Sequence, residues 1–179
     1  MVLVSIIVGL GMTSILVGVS KLLRAKKPAR RYWVHSVWVC VAFFVQVGFW
    51  WQRYAQRDVA DWNFLFMLLF LVSPVLLFLM ADLALPDEVE GVNLRNYYFD
   101  ELRRPFFLLF AATLASYSVV DVLFMGEPLV AVKQASRAVG IGVVLAMAFS
   151  DDERFHVFGT VFSVCAIAVV YGRFFFELS

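Results

Sequence analysis

"MVLVSIIVGLGMTSILVGVS" (Met1–Ser20), followed by "KLLRAKKPARR" (21–31), is the stretch on which the fold class turns. An uncharged run from Met1 to Ser20 reaches about 30 Å at roughly 1.5 Å per residue, the thickness of a bilayer's hydrocarbon core. Six cations follow at once: Lys21, Arg24, Lys26, Lys27, Arg30 and Arg31. A secretory signal carries positive charge ahead of its apolar run and an A-x-A site behind it. Here the charges come after, so the run is expected to persist as a helix. Ser5 with Gly9, and Ser14 with Gly18, lie four apart, the small-residue spacing that lets membrane helices approach closely.

The rest of the chain has the same character. Of 179 residues, 63% are hydrophobic and only 16% charged, with mean hydropathy +0.85, whereas a water-soluble domain is about 45–50% apolar. A net charge of +1 leaves no electrostatic footprint for nucleic acid, and none is expected as a partner. Six runs are long enough to span: Met1–Ser20, Tyr32–Trp51, Asn63–Ala81, Pro105–Phe124, Pro128–Phe149 and Phe155–Phe175. Ten Lys and Arg fall in the first, third and fifth connections, against Arg53, Arg57 and Arg173 on the other side. The positive-inside rule then puts the odd connections in the cytoplasm and both termini outside, in a plasma or bacterial inner membrane. The expected fold is an all-α integral membrane protein, a single six-transmembrane-helix bundle over 1–179.

Within the spans, Tyr32, Trp33, Trp50, Trp51 and Tyr54 match the aromatic belts at the two interfaces. Ser73-Pro74 predicts a kink in the third span. In the long polar connection, "LPDEVEGVNLRNYYFDELRRP" (85–105), Pro86 and Gly91 mark turns and Asn93 is placed to cap a helix. Leu94, Tyr98 and Leu102 recur at spacing four, which predicts a short amphipathic interfacial helix over Leu94–Arg103 on the cytoplasmic surface, between the third and fourth spans.

Catalytic and cofactor signatures are missing: there is no G-x-S-x-G, H-E-x-x-H, Walker or C-x-x-C sequence. Cys40 and Cys165 fall inside spans and read as small buried hydrophobes. His35 and His156 enter their spans from the same side at similar depth, as candidates for pH sensing or for ligating a metal or haem. No carboxylate or cysteine stands at ligand spacing beside either, so no cofactor and no metal is expected. Phe149-Ser150-Asp151 resembles the FSD triplet of a family of six-helix potassium channels. In that family the triplet lies in the first helix soon after an arginine, whereas here it ends the fifth span, so potassium selectivity is not carried over.

The charges within the spans carry the functional expectation. In "AVKQASRAVG" (131–140), Lys133 and Arg137 lie one helical turn apart, and the tight Met125-Gly126-Glu127-Pro128 connection makes the fourth and fifth spans antiparallel neighbours. Asp121 then comes opposite Lys133, with Arg137 roughly 12 Å below the outer interface at 1.5 Å per residue. A charge on an isolated helix at the bilayer centre costs at least about 2.5–3.5 kcal/mol, so Arg137 must be solvated by the protein. Tyr117 and Asp121 share a face with Thr113, with Ser118 beside them, while Gln46, Thr160, Ser163, Tyr171 and the carbonyl freed by Pro74 complete a polar seam. Two cations against one acid favour an anion or a lipid headgroup.

The expected function is therefore a small membrane channel or transporter that works as a homo-oligomer among membrane lipids. The alternatives are a module or sensor that binds a partner subunit at the cytoplasmic face, and an intramembrane lipid-modifying enzyme. For the enzyme, His156 with Asp151 and Asp152 is the best acid–base set, without an assignable nucleophile.

Overall fold

The computed structural model describes residues 2–55, 64–124, 126 and 128–177, excepting the side chains of 55, 170, 171 and 173–177. Among the described residues, regular structure is helical apart from one isolated bridge between Arg30 and Asn93. The helices are α1 (Val2–Arg24), α2 (Trp33–Ala55), α3 (Phe64–Leu83), α4 (Leu94–Tyr97), a π-helical turn (Tyr98–Leu102), α5 (Arg103–Phe124), α6 (Val132–Phe149) and α7 (Glu153–Glu177). Among the described residues, five helices, counting Leu94–Phe124 as one, are long and apolar enough to cross a membrane. Large apolar side chains such as Leu10, Phe44, Leu65, Leu68, Val139 and Phe158 point outward from the bundle. Water tolerates such a surface poorly and lipid tolerates it well. The architecture is compatible with a multipass membrane protein.

Contacts between helix ends show that the chain runs up and down. Arg30 against Asn93, His35 against Ala84 and Arg95 against Glu153 bring together the connections after α1, α3 and α6. At the opposite end Arg53 of α2 and Lys133 of α6 meet Asp121 of α5. The first of these ends is stapled through backbone. Arg30 N–H donates to Val92 O (2.8 Å), Leu94 N–H to Arg30 O (3.1 Å), and the Glu90 carboxylate accepts from the amides of Lys27 (2.8 Å) and Lys26 (3.0 Å). Those two amides, Lys27 first, hold the Glu90 carboxyl below the usual carboxylate range. Gly91 adopts φ 68°, the left-handed conformation that the turn requires and that glycine takes without strain.

Small residues set how closely α1 approaches its neighbours. Val4, Val8, Gly11, Ile15 and Gly18 form its buried stripe. A Cβ on Gly18 would come within 2.7 Å of Leu85 Cδ1, and one on Gly11 would collide with the Gln46 side chain. Gly9, by contrast, has open space where a Cβ would sit. Of the small residues at spacing four, then, Gly18 makes a close approach and Gly9 does not. Ser5 and Ser14 act through hydrogen bonds instead, Ser5 accepting from Trp50 Nε1 (3.0 Å) and Ser14 donating to Asp82 Oδ1 (2.8 Å).

Four expectations need revision. The helix expected over Leu94–Arg103 forms and Asn93 caps it, its side chain accepting from Arg95 N–H at 3.1 Å. It does not stand apart, however: it runs through the π turn into α5, and Leu94, Tyr98 and Leu102 are buried in the bundle. Its apolar stripe packs against the bundle, and Pro105, whose ring crowds the carbonyl one turn back, accounts for the π turn at the junction. The π turn, in which Arg103 N–H bonds Tyr98 O, widens the spiral just before it.

The second revision concerns α6, which begins at Val132 and not Pro128, because Pro128 to Ala131 is spent on a turn (Ala131 N–H to Pro128 O, 3.0 Å). Arg137 therefore sits only about 8 Å along the helix from its start. Third, α2 runs to Ala55, so Arg53 belongs to a helix and not to a connection. Finally, Cys40 and Cys165 are exposed on the helix surfaces rather than buried.

Candidate functional site

Asp121 organises the site. Thr113, Tyr117 and Asp121 recur at spacing four on α5 and are all buried, so one helical face carries hydroxyl, phenol and carboxylate inward. Lys133 Nζ lies 2.8 Å and Arg137 NH1 2.9 Å from Asp121 Oδ2, while Arg53 NH1 lies 3.9 Å from Oδ1. The sequence brought out Asp121, Lys133 and Arg137 but missed Arg53, which the Trp50 and Trp51 belt seemed to place beyond the span. A signal was present. Gln46, Phe49 and Arg53 share the inward face of α2, and all three are buried.

Among the described residues, one carboxylate thus faces three cations. The cations differ in how they are solvated. The Lys133 side chain is 46% exposed and reaches outward, whereas those of Arg137 and Arg53 are only 12% and 5% exposed. Arg53 is held among aromatic faces, its guanidinium 4.9 Å from the Phe70 ring centre, 5.4 Å from Phe49 and 5.7 Å from Tyr117. These π faces replace part of its lost hydration. Arg137 stands over Tyr117, at 5.7 Å, and shares its carboxylate with Lys133.

Beside Arg137 lies a cavity of about 410 Å³ between α2, α5, α6 and α7. Gln52, Lys133, Ser136 and Arg137 line it near the end of α2 and the start of α6, and Val143, Val144 and Phe162 line its deeper part. Its volume falls in the usual range of small-molecule sites, as does an apolar wall with a few convergent polar groups.

The other candidate residues lie elsewhere or are engaged. Gln46 is buried against Gly11 of α1 and is not part of the cavity wall. Its amide atoms find no hydrogen-bond partner among the described residues. Thr113 and Ser118 bond back to carbonyls on their own helix, and Thr160 accepts from Trp38 Nε1 (2.9 Å) while donating to His156 O (2.7 Å). Ser163 does line the cavity, and the Tyr171 side chain lies outside the described residues. Ser73 Oγ, before Pro74, lies 2.8 Å from Ser116 Oγ and couples α3 to α5.

The two histidines serve the opposite end of the bundle. His35 Nε2 lies 2.9 Å from Ala84 O, and His156 Nε2 lies 3.0 Å from Ser150 O. A carbonyl only accepts, so His156 donates from Nε2, and its Nδ1 accepts from Tyr98 Oη at 2.7 Å. Neither nitrogen of His156 is left for a substrate. Nearby, buried Arg103 donates to Ser150 O and pairs with Asp151, and Arg95 Nη2 reaches Glu153 Oε2 at 2.8 Å, fastening the α6–α7 turn to α4 and the start of α5. Among the described residues no group of three His, Cys, Asp or Glu side chains is placed to hold a metal ion. Compared with known families, curated proteins and solved structures, the chain matches none.

Proposed function

We propose that this protein crosses the plasma membrane or a bacterial inner membrane six times and carries an anion, free or as a lipid headgroup, through a site in the outer half of its bundle. The carrying observation is the single Asp121 carboxylate among Arg53, Lys133 and Arg137 beside an open cavity. A guanidinium that shares its carboxylate with other cations in a poorly hydrated setting recruits an anion through short, charge-assisted, two-pronged hydrogen bonds. Deeper in the bundle Trp38, Phe106, Phe107 and Phe110 pack edge to face. That plug supports a carrier that must change shape, working as a homo-oligomer, over a permanently open channel. The engaged ring of His156 weighs against the enzyme.

Two experiments test this. Reporter fusions placed after Arg31 and after Phe149 should both read cytoplasmic, and one at Gly126 should read external; any fusion on the wrong side overturns the topology. Inorganic phosphate at millimolar concentration should raise the Tm of the purified protein, because a ligand that binds only the folded state stabilises it. Arg137→Gln should abolish that shift. Arg137→Lys should recover little of it, since an ammonium cannot form the planar two-pronged contact. An unchanged shift in Arg137→Gln would exclude the site.

A further inference from the structure

The anion site is continuous with a cleft whose lining changes character along its length. At the mouth stand Gln52, Lys133, Ser136 and Arg137, and beyond them the wall is apolar except for Tyr117 and Ser163. From Lys133 to Val144 the cleft follows α6 for about 16 Å. Val139, 57% exposed, and the exposed Ala166 belong to its wall, so it opens sideways between α6 and α7 and not only at the helix ends. Gly140 on α6 contributes no side chain there. A free anion would use only the mouth. It would leave the apolar length of the cleft unfilled, which forfeits the dispersion contacts that close packing normally supplies.

We propose that the ligand is an anionic amphiphile, a phosphate or carboxylate head on an alkyl chain, with its head on Arg137 and Lys133 and its chain lying in the α6–α7 cleft. This rests on the anion reading above and names the class of molecule bound. Charge complementarity selects the head, because Arg137, which shares the Asp121 carboxylate with Lys133 and Arg53, stands at the mouth. The apolar wall and the lateral opening select the chain. Such a molecule enters from the surrounding lipid without crossing water, its head sliding in at the level of Lys133, whose side chain is 46% exposed.

The test compares decyl phosphate, inorganic phosphate and decanol on full-length protein in phosphatidylcholine nanodiscs, reading affinity by titration and folding by Tm. Ala166→Phe, and Val143→Trp as a second variant, fill the cleft from opposite walls without touching its mouth. The chain comes from lipid, so what a ring in the cleft removes is room and close packing, and by overpacking either variant should weaken decyl phosphate by on the order of tenfold or more. Inorganic phosphate should change by less than about twofold with either variant. Arg137→Gln should weaken both phosphates, and decanol should bind far less tightly than decyl phosphate. If inorganic phosphate binds through Arg137 but decyl phosphate gains nothing from its chain, the amphiphile is overturned while the anion site stands. If neither phosphate binds, the anion site itself fails. Decanol binding as well as decyl phosphate would overturn the head assignment. A change in oligomeric mass on Ala166→Phe with decyl phosphate unaffected would assign the cleft to a second copy of the chain, and would equally overturn the proposal.

Discussion

Asp121→Asn is expected to destabilise the folded bundle by about 3–5 kcal/mol, the cost of leaving buried charge without its partner. The carboxylate sits between Lys133 and Arg137 on one oxygen and Arg53 on the other, so its loss leaves three cations facing one another. Which second change rescues it follows from exposure. Lys133, with 46% of its side chain exposed, can turn its ammonium toward water and headgroups, as long amphipathic side chains do near membrane surfaces. Arg53, with a side chain only 5% exposed and enclosed by Phe49, Phe70 and Tyr117, cannot. Asp121→Asn with Arg53→Met should therefore recover most of the stability, and Asp121→Asn with Lys133→Gln only a small part. Unfolding of the three proteins in mixed micelles measures this. Equal rescue by the two double variants, or no loss in the single one, would show that the cluster is not a coupled unit.

Trp38→Ala should be about as damaging, roughly 3–5 kcal/mol. Trp38 is fully buried, with ring centres 4.8 Å from Phe107 and 5.9 Å from Phe106 and Phe110, and it donates to Thr160 at 2.9 Å. It ties α2 to α5 through rings and to α7 through a hydrogen bond. Lipid tails are as apolar as phenylalanine, so the loss comes from packing contacts left without partners, not from exclusion of water. Trp38→Phe separates the contributions: it keeps much of the ring packing and should cost only about 1 kcal/mol, for the hydrogen bond. The same micelle unfolding series reads both variants, and a Trp38→Ala protein as stable as Trp38→Phe would place the packing energy elsewhere.

The helices were legible along the chain because the bilayer's thickness and its intolerance of unpaired backbone act on each segment locally. Runs of about 20 apolar residues followed by Lys21 to Arg31, or ended by Asp151-Asp152, mark helix ends without reference to any neighbour. Asp121, Lys133 and Arg137 were legible for a related reason, since charge inside an apolar run is conspicuous wherever it points. A short connection between α5 and α6 then made their meeting a matter of antiparallel geometry.

Pairings between distant helices left no such mark. Arg53 follows Trp50-Trp51, where an interfacial arginine is unremarkable, and its place in the charge cluster depends on α2 packing beside α5 so that Phe70 and Tyr117 enclose it. Gln46 looked like a member of the seam, but rotation of α2 turns it toward Gly11, where the absence of a side chain makes room for it. The apparent surface helix at Leu94 became the foot of α5 because its spacing-four stripe found the bundle and not the headgroups to pack against. Periodicity along a helix says that a face will be covered; only the packing of the other helices, through their closest approaches at Gly11 and Gly18 and the rings around Trp38, decides what covers it.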